Sequence, residues 1–595
     1  MTDPAEPTPF SRADLVAAGV ILLVALLPRL LVIGADPPQD LQQAFLFDEG
    51  LWTHNARNRM LFGRWIMDDH NPPLFMTPLY TLVLAATYAL AGISLTTTRL
   101  VAAVSGSLTC VVLYLFLRPW YPPRRAVVAP LVLALSYFTL SYNRSGFTES
   151  FQLLPLTATA GAVLLATRRP NWAWAAGVLF VLGQLAKPSA AALGLGIVGF
   201  WAAHWWLTRQ RDFSPPFSWQ APIRFTVAAA ASVALVLLAM IPEWQNIVHQ
   251  LGVSLRMAFG GADSSSEEWQ RLTLFGWSGF GLVRGALVAQ TLVPLVLVLL
   301  LLVARLARVA SRPIDAVEMF AWCCLLLGLL FIGFERYQPD RRFLYLMPAI
   351  AILAAAATGE GGVPLPSRTG FTGASGWWRA ALAGGVAVGG TLFLLAPLFV
   401  PAGSNPARTL LRTSMIISIG MMAGAVLLPL LARRLPLRVY RIPRFLFLLG
   451  FLLLEPLRFG WFLLHPTWTI RDQSSALAQF TADWAPADRV VYGAMANTLS
   501  LPSQLFPLVI RRHPTSGSRM NIDGWERFHP ALALVVADPA MASVRRDVES
   551  HGLVSCRELP VWPGPSGPRV RIQLYLRENL SARCATFPLP QPLEP

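Results

Sequence analysis

Residues 98–125 read TRLVAAVSGSLTCVVLYLFLRPWYPPRR. A run of mostly apolar residues is followed at once by a cluster of arginines. A helix needs about 20 such residues to cross the hydrocarbon core of a bilayer. Backbone groups in lipid must find their partners within the segment, so the run predicts a spanning helix. The arginines mark the side on which it ends, because basic loops are held in the cytoplasm.

The pattern recurs along the chain. Apolar runs lie near 14–34, 74–93, 126–141, 150–167, 171–186, 188–207, 225–242, 284–304, 316–334, 343–358, 379–400, 411–431 and 445–464. Composition agrees. Of 595 residues, 54% are hydrophobic and 13% charged, where soluble domains carry about a quarter charged; mean hydropathy is +0.51. Residues 1–464 therefore read as an all-α polytopic membrane domain, and 465–595 as a region of different character. Asp3, Glu6 and Asp14 spoil the basic start of a leader peptide, and the first apolar run is long enough to span.

The net charge of +16 comes from 48 basic and 32 acidic residues. Arginine clusters at 118–125, 168–169, 209–224, 305–312 and 433–444 alternate with poorer loops. Placing them in the cytoplasm puts Glu149, Lys187, the loop 243–283, the loop at 335–342 and everything after 464 outside. No basic stretch is interleaved with aromatics, so nucleic acid is not an expected partner. One conflict of parity arises at 74–93. Pro72, Pro73 and Pro78 disrupt its start. With that run re-entrant or interfacial, about thirteen helices span and the long loop 35–77 shares the outer face. The expected setting is a bacterial cytoplasmic membrane.

In the tail, RVVYGA, LALVVAD and RVRIQLYL predict short strands, and 473–484 and 540–551 amphipathic helices. This is the pattern of a small soluble α/β domain on the extracytoplasmic side. Cys556 and Cys584 both fall in it and would pair if that face is oxidising. Cys323 and Cys324, adjacent in an apolar run, read as packing, and the five cysteines show no metal-ligand spacing.

Residues 45–52, FLFDEGLW, place Asp48 and Glu49 among apolar neighbours just past the first span. Ionisable groups near lipid depth are functional candidates by default, and a partly buried carboxylate can serve as a base near neutrality. Three further stretches carry charge at the same face. SYNRSGFTES holds Arg144 and Glu149; as a bland alternative, these are an interfacial pair reaching for water. QLAKPS holds Lys187, the single lysine of the chain. Lysine is a compact point charge that suits phosphate, and arginine does not simply replace it. ERYQPDRR carries Arg336, Arg341 and Arg342 in an outer loop, against the positive-inside trend. Arginine forks match phosphate oxygens. Acids and cations together at one interface suit a reaction whose donor carries a phosphate and whose acceptor loses a proton.

In order along the chain, FDEGLW, HNPPLF, SYNRSGFTES, QLAKPS and ERYQPDRRFLYLMP resemble the outer-face motifs of the GT-C glycosyltransferases, close to the protein O-mannosyltransferases and aminoarabinose transferases. Asn71 and the direct succession Lys187-Pro188 depart from that pattern. The resemblance implies inverting transfer from a polyprenyl-phosphate sugar to a glycan, lipid or protein acceptor. Asp48 and Glu49 are then the catalytic acids. Arg144, Lys187, Arg336 and Arg341 hold the donor phosphate. His70, Glu149 and Tyr337 contact substrate, with Glu149 either holding Arg144 or facing the sugar. The resemblance requires no metal, although Asp48, Glu49 and Glu149 offer the oxygens a hard divalent cation takes. The competing class is a polytopic transporter or lipid flippase. Transporters show internal repeats and midplane charges; no repeat is visible here and the charges sit at span ends.

Overall fold

The structure, a computed structural model, describes residues 10–37, 49–65, 77–209, 216–241, 244, 295, 298–299, 301–302, 314–334, 340–358, 459–460, 462–493, 495–508, 525, 528–537, 542–564 and 567–588. Its helical part contains α1 (Arg12–Leu30), α2 (His54–Phe62), α3 (Pro78–Ala91), α4 (Leu95–Leu117), α5 (Val128–Leu135), α6 (Tyr137–Tyr142), α7 (Thr148–Ala166), α8 (Trp172–Ala186), α9 (Ala191–Arg209), α10 (Gln220–Ala239), α11 (Ala316–Phe334) and α12 (Met347–Thr358). Among the described residues, α1, α4, α7, α9 and α10 are long and apolar enough to cross a membrane. The expected spans at 379–400 and 411–431, and most of 284–304 and 445–464, lie outside the described residues, as does the loop 243–283 apart from Trp244.

The ends of the bundle are fixed by charge. Ser11 and Asp14 cap the start of α1 reciprocally, Asp14 N–H donating to Ser11 Oγ and Ser11 N–H to the Asp14 carboxylate. That carboxylate also accepts from Tyr114 (2.8 Å) and Arg118 (2.6 Å) at the end of α4. The two helices therefore run antiparallel, and the end of α1 meets the start of α4 at the opposite face. Helix α7 packs on α4 and α8. It is the most enclosed of the long helices, 83% buried against 11% for α10, so whatever stands at its first turn is held in the middle of the bundle.

The apolar run 126–141 was expected as one helix and is two. The helix breaks at Ser136, with φ −59° and ψ 126°, which strands carbonyls that α5 would otherwise satisfy. Thr139 Oγ1 takes the Leu133 carbonyl and Arg29 takes that of Ala134 at 3.1 Å. Arg29 also donates to the Ala25 carbonyl on its own helix. One buried arginine thus ties α1 to the break between α5 and α6, a signal no hydropathy pattern carries.

The C-terminal part has α13 (Thr469–Phe480), β1 (Val490–Gly493), β2 (Phe506–Leu508), β3 (Leu532–Val536), α14 (Ala542–Ser550), β4 (Leu553–Gly564) and β5 (Gly567–Arg577). The strands form one mixed sheet in the order β2-β1-β3-β5-β4; β1 pairs parallel with β2 and β3, and β5 antiparallel with β3 and β4. Alternation along β3 explains why LALVV is apolar throughout. Leu532 and Leu534 face a core with Leu477 and Phe480 of α13, while Ala533 and Val535 face Val544 and Val548 of α14. The three expected strands are β1, β3 and β5. The other two, β2 and β4, sit at the sheet edges and contain Pro507, Pro560 and Pro563. Proline removes a ladder donor and is tolerated at edges, so it masks a strand in sequence without forbidding one. Cys556 on β4 and Cys584 are disulfide-bonded.

This region grips the stretch between α1 and α2. The Asp36 carboxylate accepts from Thr469 N–H (2.8 Å) and Ile470 N–H (2.9 Å) at the start of α13. Burial raises its pKa, opposed by those N–H groups. The buried Arg57 guanidinium of α2 donates to the carbonyls of Leu501 (3.0 Å), Ser500 (3.0 Å), Ser503 (2.5 Å) and Leu505 (2.7 Å). Burial pushes it down to about 10, so it stays charged at neutral pH. Gly50 N–H donates to Thr498 Oγ1 at 3.1 Å.

Candidate active site

Two acid–cation nodes occupy the bundle end where α1 stops and α4 begins. At the first, Arg99, one turn into α4, grips Glu49 with two prongs: Nε to Oε1 at 2.7 Å and NH2 to Oε2 at 2.9 Å. The other guanidinium nitrogen donates to the carbonyls of Ile33 (3.0 Å) and Ala35 (2.5 Å). Glu49 also accepts from the Gly146 N–H at 2.7 Å. A Cβ at Gly146 would stand 2.4 Å from Thr98 Cγ2, so only glycine lets this backbone approach so closely.

The second node stands three residues further on. Glu149, fully buried in the first turn of α7, accepts at Oε1 from Lys187 Nζ (2.5 Å) and from Arg341 Nε (2.9 Å). Lys187 is 7% exposed and Arg341 3%. Helix α8 ends at Ala186 because Pro188 disfavours helical geometry in the residue before it. Lys187 accordingly has φ −168° and ψ 135°. Its carbonyl accepts from Gln152, which also binds Gly183 O at 2.8 Å. Gln152 thus ties α7 to the end of α8 and aims Lys187 at Glu149. Arg341 comes from the 3-10 stretch Asp340–Leu346 that leads into α12, and lies over the Phe147 ring at 5.5 Å.

Trp52 joins the two nodes. It follows Glu49 by three residues, and its ring lies 4.5 Å from Lys187 Nζ. Below the second node, between α7, α9, α11 and α12, is an apolar cavity lined among others by Leu153, Leu156, Phe320, Tyr345, Ala349 and Ile352. Leu153 lies one helical turn from Glu149. The Tyr345 hydroxyl is hydrogen-bonded to Ser189, two residues past Lys187, at 2.6 Å. An apolar cavity therefore lies one helical turn from a pair of buried cations.

The structure brings Glu149, Lys187 and Arg341 together. It does not join Arg144 to them. Arg144 donates to the Leu31 (2.8 Å) and Val32 (2.5 Å) carbonyls past the end of α1 and lies over Phe459 and Phe462. Of the two readings of Glu149, holding Arg144 or facing the sugar, the first gives way to bonds with Lys187 and Arg341. Asp48, His70, Arg336 and Tyr337 lie outside the described residues. Sequence reasoning missed Arg99, whose signal was a lone arginine one turn inside an apolar span. It also read Trp52 only as an apolar neighbour of the acids.

Residues 71–213 match the family described as dolichyl-phosphate-mannose-protein mannosyltransferase. Sequence comparison with curated proteins gives no match. Among solved structures, the chain is similar to ArnT from Cupriavidus metallidurans in the apo state, with a TM-score of 0.50 and 17% identity over 96% of this chain and 98% of that one. The same protein bound to undecaprenyl phosphate gives 0.49 and 16%, over 97% and 99%. The archaeal oligosaccharyltransferase AglB from Archaeoglobus fulgidus, in complex with an inhibitory peptide and a dolichol-phosphate, gives 0.44 and 12%, over 96% and 77%. By sequence over 71–213, and by fold along almost its entire length, the chain resembles the GT-C glycosyltransferases.

Proposed function

We propose that the chain is an integral-membrane glycosyltransferase that moves a sugar from a polyprenyl-phosphate donor to a glycan, lipid or protein acceptor on the extracytoplasmic face, by a single inverting displacement. The observation that carries this reading is the convergence of Lys187 and Arg341 on Glu149, buried beside an apolar cavity. An amphiphile with a phosphate head and a prenyl tail fits both halves of that description. The ArnT relative, whose structure holds undecaprenyl phosphate, supports the same choice.

In the reaction the acceptor oxygen or nitrogen attacks C1 of the sugar. The C1–O bond to phosphate breaks with inversion, and the polyprenyl phosphate leaves with that electron pair. Lys187 and Arg341 stabilise the charge that develops on the leaving oxygens, usually the largest electrostatic contribution. The acceptor proton passes to Asp48. Glu49 supports this step by anchoring the Asp48 stretch, since both its oxygens are engaged by Arg99 and Gly146. Glu149 holds the two cations at a fixed spacing. Arg336, His70 and Tyr337 complete the substrate-binding set, Arg144 being engaged by the Leu31 and Val32 carbonyls instead, and no step requires a divalent cation. The Cys556–Cys584 bond supports placing the C-terminal region on the oxidising side of a bacterial cytoplasmic membrane.

The test is transfer of label from a radiolabelled polyprenyl-phosphate sugar by the purified chain in lipid nanodiscs. Asp48→Asn is expected to lower turnover by about 10²–10⁴-fold. Transfer by Lys187→Ala at the wild-type rate and donor KM would remove Lys187 from the mechanism.

A further inference from the structure

Trp52 carries an indole N–H at the junction of the two nodes, and that N–H has no hydrogen-bond partner among the described residues. The side chain is 8% exposed, so water does not readily satisfy it. Buried polar groups are almost always paired, and an exception asks for an explanation. Packing alone would be served by phenylalanine or leucine at this place. The position is specific in a second way. The ring face lies against the Lys187 ammonium at 4.5 Å, and Lys187 uses one N–H on Glu149 and has no further acceptor among the described residues. An indole and an ammonium with donors left over stand side by side, where a ligand rich in acceptor oxygens would satisfy both.

We infer that Trp52 is a specificity-determining residue for the donor head group: its indole N–H donates to a phosphate oxygen of the polyprenyl phosphate while its ring keeps Lys187 in place. This rests on the donor reading above and deepens it. The N–H is neutral, so it adds a directional contact without adding charge. It selects a phosphate over an alcohol of the same tail length, because the phosphate offers one charged oxygen to Lys187 and another to the indole, whereas a hydroxyl has a single oxygen for both. Trp52 belongs to the same short stretch as Asp48 and Glu49.

The experiment compares binding of farnesyl phosphate and of farnesol to the full chain in nanodiscs by titration calorimetry, for wild type and Trp52→Phe. Phenylalanine keeps a ring over Lys187 and removes the donor. Loss of a hydrogen bond to a charged group should weaken farnesyl phosphate about tenfold or more, with farnesol affinity and thermal unfolding unchanged. Equal loss for both ligands would mean a packing role and overturn the assignment, as would wild-type affinity for the phosphate in Trp52→Phe. Failure of wild type itself to prefer farnesyl phosphate over farnesol would sink the donor reading as well, so the two failures are told apart. Should Trp52→Phe not fold, Trp52→His, which keeps a ring N–H, decides: affinity within a few fold of wild type supports the assignment, and loss beyond tenfold overturns it.

Discussion

Glu49 and Arg99 form a two-pronged ion pair, each side chain only 1% exposed, with N···O distances of 2.7 and 2.9 Å. The pair binds the acidic stretch after α1 to the first turn of α4, and through Ile33 and Ala35 it also sets the path of the chain between them. Removing one partner of such a buried pair leaves an uncompensated charge. Glu49→Gln and Arg99→Leu should each lower stability by about 3 kcal/mol. The double variant Glu49→Leu/Arg99→Leu should recover much of that, because no charge is left stranded. Thermal unfolding in detergent measures all three. Additive losses in the double variant would count against a coupled pair.

Lys187→Arg conserves charge and should still cost transfer at least about tenfold. The ammonium sits in a slot between Glu149 and the Trp52 ring, at 2.5 and 4.5 Å. A planar fork is larger than an ammonium and points its donors differently, and forcing extra volume into packed surroundings costs about 1–3 kcal/mol. Steady-state kinetics with a labelled donor gives the answer. Wild-type kcat and KM in Lys187→Arg would show that charge alone matters at this position.

What the sequence disclosed and what it hid follow from the same physics. Hydropathy marks a segment as spanning but is blind to a break that neighbours repair, so the Ser136 interruption, mended by Arg29 and Thr139, was invisible. Apolar β3 was legible because both its faces are covered; β4 was not, because its prolines read as loop while the edge of a sheet tolerates them. Lys187 stood out as the lone lysine and does meet Glu149 and Arg341. Arg99 was passed over because one charge in a long apolar run looks like a side chain snorkelling to water, and only the fold shows that it turns inward to Glu49. One reading of Glu149 gave it Arg144, five residues away; its partners are Lys187 and Arg341, and proximity in sequence says little about which charges meet.

The bond between Cys556 and Cys584 ties β4, an edge strand with register shifts, to the stretch that precedes Phe587. Phe587 packs on Phe480 of α13 with ring centroids 4.9 Å apart, so the bridge also holds a plug in the core between sheet and helix. Closing a loop of 28 residues is worth about 3–4 kcal/mol in the chain-entropy account. Cys584→Ser, or reduction with dithiothreitol, should lower the unfolding temperature of the C-terminal region while leaving that of the membrane helices in place. Intrinsic fluorescence against temperature, with and without reductant, checks this. An unchanged unfolding profile would show the bridge to be energetically idle.

At Gly50 the acidic stretch touches the C-terminal region closely. Its N–H donates to Thr498 Oγ1, and a Cβ placed on it would stand 2.2 Å from Thr498 N and 2.4 Å from Asn497 C. Those are backbone atoms, so no side-chain rotation relieves the clash, and one of the two segments must move. The four carbonyls gripped by Arg57 begin two residues past Thr498. Displacing the Asn497–Thr498 turn therefore strains that grip too. Gly50→Ala is expected to loosen the docking of the C-terminal region, visible as faster trypsin cleavage after residue 465, and to lower transfer by displacing the neighbouring acids. Farnesyl phosphate affinity should fall by no more than the roughly tenfold assigned to Trp52, because Lys187 and Arg341 are held from α8 and the approach to α12 and not from the C-terminal region. Wild-type proteolysis and transfer in Gly50→Ala would mean that the contact does not govern the site. A collapse of farnesyl phosphate affinity would place the donor site under the control of the docked region.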